Sequence, residues 1–217
     1  MIWNTSTDST EIPTKDGELA VRFEGDPHKP PLLLCQRFRG TTDDWDPEFV
    51  VRLATARRVI RFDNLGIGES SGETPNTVRR MAEVVPLVLD ALGIDAVDLL
   101  GWSLGGYVGQ TVALTWLGCV RHLVIEGSGP DGPPPLPRVA EIAAKTAPSR
   151  EDVQFLFFTE TKAGAAAAGR HFDRFRLGER PPVAAESGRR RREAIARRGG
   201  RAMERHGRNL ASSTCRS

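Results

Sequence analysis

No stretch of about 18 consecutive apolar residues occurs in the chain, so no helical membrane span is expected. The first segment, Met1 to Asp16, is polar and carries Asp8 and Glu11. It lacks the basic start and apolar middle of a secretory leader, which makes a cytoplasmic location the expectation. Cysteine is scarce. Cys35, Cys119 and Cys215 are odd in number, widely spaced and without a C-x-x-C pair. They predict neither a disulfide framework nor a zinc site. Cys35 and Cys119, in or beside apolar segments, read as core thiols. No internal repeat is visible.

What is present is a chain of 217 residues, 39% hydrophobic and 27% charged, the size and composition of one soluble domain with a sizeable core. Its charge is unevenly placed. Residues 1–179 carry 19 Lys+Arg against 25 Asp+Glu, a net −6, while residues 180–217 carry 11 Arg against 3 Glu, a net +8. A mildly acidic body is joined to a strongly basic end, so residues 1–186 are read as one domain and 187–217 as a tail.

Along the body, strand and helix patterns alternate. Leu19–Glu24 alternates like an edge strand, and Leu32–Cys35 is a short continuous apolar run, as in a strand buried on both faces. Phe49–Thr55 has helical spacing, Arg58–Asp63 is a strand, and Thr77–Leu92 carries one apolar stripe of period 3.6 closed by Gly93. Ala96–Leu100 is a strand, Tyr107–Leu117 a helix and Val120–Glu126 a strand. Helical stretches follow near 138–147, 151–158 and 162–177. This order predicts an α/β fold, a doubly wound and mostly parallel sheet with helices on both faces, and a partial helical cap near 131–180. Ligands then belong at the carboxyl ends of the strands, where the loops Gln36–Gly40, Asn64–Gly68 and Gly101–Gly105 lie.

The motif that carries chemistry is Gly101-Trp102-Ser103-Leu104-Gly105, a G-x-S-x-G directly after one strand and directly before a helix. That context is what a nucleophile elbow requires. A tight turn projects the serine Oγ above the sheet, and small residues on either side leave room for the neighbouring backbone. The helix N-terminus behind Ser103 favours developing negative charge.

Three segments together resemble the α/β-hydrolase fold family, and in particular its small esterase, lactonase and perhydrolase-like members. Leu32-Leu33-Leu34-Cys35-Gln36-Arg37-Phe38-Arg39-Gly40 resembles the family's strand followed by H-G-F-x-G. Arg61-Phe62-Asp63-Asn64-Leu65-Gly66-Ile67-Gly68-Glu69-Ser70 resembles its D-x-R-G-x-G-x-S turn, and Gly101–Gly106 its elbow. The resemblance implies that Ser103 attacks an ester-like bond of a small molecule, with the N–H groups of Leu104 and Phe38 as the oxyanion hole. It implies no cofactor and no metal. Where the family has His-Gly, this chain has Gln36-Arg37. Gln36 is expected to take over the histidine's structural hydrogen bond, and Arg37 must avoid positive φ or bear strain. Arg37 and Arg39 read either as solvated loop arginines or as readers of an anionic substrate. The Gly66-Ile67-Gly68 turn does not make a dinucleotide loop, because Ser71 stands at the third glycine position and Thr74-Pro75 intervenes before any helix.

The acid and the histidine of a triad are not visible. The family order is Ser, then Asp or Glu, then His, yet no apolar run of four residues follows Pro182. The expectation is a hydrolase lacking its terminal strands and weak or inactive in consequence. His28 and His122 fall at the wrong ends of their strands, His171 lies in the expected cap, and His206 lies in the tail. Glu126 ends a strand where some family members place their acid, and reads equally as a water-facing loop carboxylate. The Arg/Gly/Ala-biased tail after Ser187 is expected to be disordered and fits a shifted reading frame. A basic nucleic-acid arm is the alternative, less favoured because no aromatics interleave the arginines.

Overall fold

The computed structural model describes residues 9–130, 136–145 and 148–175. These form two compact units, one reaching Pro130 and the other within Asp131–Ala184. The tail from residue 187, with His206 and Cys215, lies outside the described residues.

The first unit is built on a sheet of six strands: β1 (Thr10–Thr14), β2 (Gly17–Glu24), β3 (Pro31–Cys35), β4 (Arg58–Phe62), β5 (Val97–Trp102) and β6 (Val120–Glu126). Their order is β1-β2-β4-β3-β5-β6. The β4–β3, β3–β5 and β5–β6 pairs are parallel, while β1 and β2 join antiparallel. The mostly parallel α/β sheet expected from the sequence is thus observed. β2 is not an edge strand, since β1 lies outside it. β1 escapes the sequence pattern because only one of its residues, Ile12, is buried. Pro13, which has no N–H to give, is tolerated there because β1 is the edge.

Alternation along β3 divides the core into two layers. Leu33 and Cys35 join a cluster with Val85, Val88 and Leu89, whereas Leu32 and Leu34 join one with Trp45, Val50 and Ala54. Successive side chains of a strand point to opposite faces, so a continuous apolar run needs helices on both. One face is covered by α1 (Pro47–Ala54), which starts where the Asp46 side chain accepts the Glu48 N–H at 2.9 Å and Pro47 opens the first turn. The other is covered by α2 (Val78–Ala82), α3 (Val84–Leu92) and α4 (Leu104–Thr115). The single helix expected over Thr77–Leu92 is two, parted at Glu83. Pro86 lacks the N–H that would return to the Ala82 carbonyl, so the ladder breaks there. Gly93, at φ 63°, closes α3 as expected.

A carboxylate ties the amino ends of the inner strands. Asp98 is buried on β5 and accepts from Arg57 at 2.8 Å and Arg121 at 3.4 Å, with His122 Nδ1 at 2.8 Å. Burial opposes its ionisation, but the His122 and Arg121 hydrogen bonds and the arginine charges win and hold its pKa below the ordinary carboxylate value. Cys35 is free and buried. Cys119 is buried too, but the reading of it as a free thiol is corrected: it is disulfide-bonded.

The second unit consists of α5 (Pro137–Ala144), α6 (Arg150–Phe157) and α7 (Lys162–Phe175), close to the three helical stretches expected. Ser149 and Asp152 form a capping box at the start of α6, and Lys145 Nζ reaches both Asp152 oxygens at 2.9 Å. None of the described helices is long and apolar enough to cross a membrane.

Candidate active site

The parallel strands β3, β4, β5 and β6 bring their carboxyl ends to one side of the sheet. Cys35 pairs with Gly101, and Trp102 with Glu126. Ser103 stands at this rim, between the end of β5 and the start of α4. Its backbone is at φ 53°, ψ −116°, a conformation that costs a residue with a side chain roughly 1–3 kcal/mol. Two hydrogen bonds hold it there. The Ser103 N–H donates to the Glu126 carbonyl at 2.8 Å, and the Ser103 carbonyl accepts from the Gly106 N–H at 2.8 Å.

Sterics explain the glycines. A Cβ on Gly101 would sit 2.2 Å from the Gly105 carbonyl oxygen, and one on Gly105 would sit 2.0 Å from the Cys35 carbonyl oxygen and 2.9 Å from that of Gln36. The start of α4 therefore lies directly on the end of β3, beside the loop that carries Phe38. Leu104 is the first residue of α4, where a helix N–H has no intrahelical acceptor. The strain at Ser103 yields a test. Ser103→Gly should stabilise the fold by about 1 kcal/mol, the relieved strain less the added chain entropy. A denaturation midpoint that falls would contradict the strained turn.

Gln36 makes two hydrogen bonds within its loop. Its Nε2 donates to the Thr41 carbonyl at 2.9 Å and its Oε1 accepts the Arg37 N–H at 2.7 Å, closing the loop on itself. A Cβ on Gly40 would lie 2.2 Å from Gln36 Cγ, so the glycine gives the side chain its room. Arg37 avoids positive φ, and the left-handed residue of the loop is Arg39, at φ 56°. Arg37 is half-buried. Its guanidinium donates to Asp44 Oδ1 at 3.2 Å and lies 5.6 Å from the centre of the Trp102 ring, which in turn packs on Trp45. Nothing in the sequence marks that contact, because Arg37, Asp44 and Trp102 meet only when β3 and β5 are side by side.

The third loop is anchored from below by Asp63. This buried carboxylate accepts the Thr42 N–H at 2.6 Å and the Glu69 N–H at 2.8 Å, joining the Thr42 turn to the Gly66–Ser70 turn. Burial raises its pKa, and these N–H bonds and the Arg22 charge only partly counter it. A Cβ on Gly68 would lie 2.2 Å from Asp63 Oδ2, a spacing the quoted motif already contained.

Other nucleophiles and bases fit poorly. The Cys35 thiol is pushed up to about 12 by burial, so it supplies no thiolate. His28 lies in the turn before β3, and His122 at the amino end of β6 on Asp98. His171 belongs to the second unit, between the rings of Phe158 and Phe172. Glu126 is exposed at the same rim as Ser103. Among the described residues no three His, Cys, Asp or Glu side chains gather as a metal site.

A family model for the alpha/beta hydrolase fold matches residues 30–207. The chain belongs to the α/β-hydrolase family. As a hydrolase-fold chain it is similar to rhodomycin D methylesterase DauP of Streptomyces sp. strain C5, with 38% identity over 112 residues, which is 48% of this chain and 37% of that protein. Among solved structures, an alpha/beta hydrolase fold protein from Chitinophaga pinensis aligns at TM-score 0.71 and 31% identity, over 78% of this chain and 62% of that one. A hydrolase from Pseudomonas aeruginosa PA01 aligns at TM-score 0.61 and 30% identity, over 80% and 67%. The chain thus spans little more than a third of DauP's length and under two thirds of the Chitinophaga structure.

Proposed function

We propose that the chain carries the nucleophile half of a serine hydrolase acting on an ester-like bond of a small molecule. The observation that carries this reading is the backbone of Ser103, held at φ 53°, ψ −116° between a strand end and a helix start. Strain of this kind persists where function needs the side chain aimed. In this mechanism Ser103 Oγ attacks the carbonyl carbon. The carbonyl π electrons move to oxygen, and the N–H groups of Leu104 and Phe38 stabilise the resulting oxyanion. Collapse expels the alcohol and leaves an acyl-serine for water to cleave. The name of DauP supports an ester as the bond.

The serine proton must go somewhere, and the described residues of the first unit bring no histidine to the rim. Turnover is therefore proposed to be impaired, with water as the proton acceptor. That same observation favours a second reading, a hydrolase-fold binding module that holds a small molecule without cleaving it. A nucleic-acid-binding tail is the weaker third reading, since it rests on residues 187–217 alone. A fluorophosphonate probe separates the first two. It should label Ser103 slowly but selectively, and Ser103→Ala should remove the label. Labelling at another residue, or none after long exposure, would defeat the catalytic reading.

A further inference from the structure

In the loop after β3, left-handed backbone falls on Arg39 although glycine stands next to it. The Gly40 N–H donates to the Arg37 carbonyl at 3.0 Å, which makes Arg37–Gly40 a hydrogen-bonded β-turn. Its third residue, Arg39, is at φ 56°, while Phe38 is not at positive φ. That combination is a type II turn, whose third position ordinarily takes glycine. A residue with a side chain prefers the type I form, in which the central peptide, between Phe38 and Arg39, is turned over. Some contact must hold that peptide in the less favourable orientation.

The Arg37 side chain makes that contact. Its Nη1 donates to the Phe38 carbonyl, the oxygen of the central peptide, at 3.1 Å. Its Nη2 donates to Asp44 Oδ1 at 3.2 Å. Asp44 is itself fixed, since its Oδ2 accepts the Thr41 N–H at 2.7 Å and the Thr41 hydroxyl at 3.0 Å. The same guanidinium lies 5.6 Å from the ring centre of Trp102, the residue before Ser103. A planar fork of donors serves two acceptors at once while staying against an aromatic ring. We propose that Arg37 is a positioning residue. It locks the Phe38–Arg39 peptide in the type II orientation and braces the loop on the neighbour of Ser103, so that the Phe38 and Leu104 N–H groups aim at one oxygen. This rests on the reading of Ser103 as the nucleophile and of those two N–H groups as its oxyanion hole.

A lock of this kind has a consequence that other roles lack. Arg37 works against the preference of Arg39, so a glycine at position 39, which takes positive φ without steric cost, makes the lock dispensable. A direct contact between Arg37 and substrate would not be replaced by a glycine two positions along the chain. Neither would packing of Arg37 on Trp102. Lysine is a poor substitute at position 37, because one compact ammonium does not reproduce the fork.

The test uses the 217-residue chain, Arg37→Ala and the double variant Arg37→Ala/Arg39→Gly, with two readouts. The first is the rate at which a fluorophosphonate labels Ser103, followed by mass spectrometry. In that reaction Oγ bonds to phosphorus, fluoride leaves, the serine proton goes to water, and negative charge builds on the phosphoryl oxygen. Loss of one oxyanion donor costs about 10²–10³ in rate, so a misaligned donor in Arg37→Ala should slow labelling at least about tenfold. The double variant should recover most of that loss. The second readout is the nuclear Overhauser cross-peak between Phe38 Hα and the Arg39 N–H, strong in a type II turn and weak in type I. It should weaken in Arg37→Ala and return in the double variant. Labelling of a cooperatively folded Arg37→Ala within about twofold of the parent rate overturns the proposal, and so does a slowed Arg37→Ala that Arg39→Gly fails to rescue. If Arg37→Ala does not fold, Arg37→Lys takes its place, with the same slowing and the same rescue expected. If the parent chain is not labelled at Ser103, the serine reading fails by itself. The cross-peak then decides on Arg37, and an unchanged peak in Arg37→Ala overturns the lock.

Discussion

Assayed on an activated aryl ester, the 217-residue chain is expected to turn over about a millionfold more slowly than a hydrolase with a complete triad, the loss seen when catalytic members of such a unit are removed. The reason lies in the proton. A serine hydroxyl is a weak nucleophile unless a base takes its proton as the bond forms. Ser103, the proposed nucleophile, has a strained backbone at the start of α4. Among the described residues of its own unit the histidines are His28 and His122, both at the other end of the strands. Oxyanion stabilisation and binding survive such a loss and are worth about 10³–10⁴ over water. If the base is absent as proposed, Ser103→Ala should change the measured rate by less than about tenfold, since a triad without its base loses little more when the nucleophile goes. Brisk turnover abolished by Ser103→Ala would show that a base is present.

The sequence made the elbow legible because its constraints are local. Strand, G-x-S-x-G and helix are contiguous, and the close contact that forbids a Cβ on Gly101 is with Gly105, four residues away. The apolar run of β3 was legible for a similar reason, since burial on both faces leaves no alternation to misread. β1 was not, because one buried isoleucine among polar residues is no pattern. The break between α2 and α3 had its signal in Pro86, yet the apolar stripe continues smoothly across it. Arg37 shows where reading along the chain stops. Its partners Asp44 and Trp102 are 7 and 65 positions away, and their contact depends on strand order, which side-chain periodicity does not encode. Arg39 was missed for another reason: left-handed backbone at a residue with a side chain has no sequence mark when the neighbouring Gly40 reads as the flexible position.

Gly105→Ala should leave the chain unfolded or without cooperative unfolding, the largest stability effect of any single methyl group considered. The added Cβ would lie 2.0 Å from the Cys35 carbonyl oxygen and 2.5 Å from its carbonyl carbon, far inside contact distance. Both atoms are backbone, so no side chain can rotate away. Cys35 is at the end of β3, the strand between β4 and β5, and Gly105 is in the first turn of α4. Relief would require α4 to lift from the sheet, and with it Val108 and Val112, which are buried in the main core cluster. Ordinary overpacking costs about 1–3 kcal/mol because neighbours shift slightly. Here a shift would break the packing of a whole helix, against a total stability of about 5–15 kcal/mol for a domain. Gly93→Ala is the control. At φ 63° it bears left-handed strain of about 1–2 kcal/mol, but its Cβ would meet nothing within 4 Å. Urea unfolding followed by circular dichroism should therefore show a modest midpoint shift for Gly93→Ala and no cooperative transition for Gly105→Ala. Equal, small shifts in both would mean that α4 does not lie against β3 as described, and the placement of Ser103 beside the Phe38 loop would fall with it.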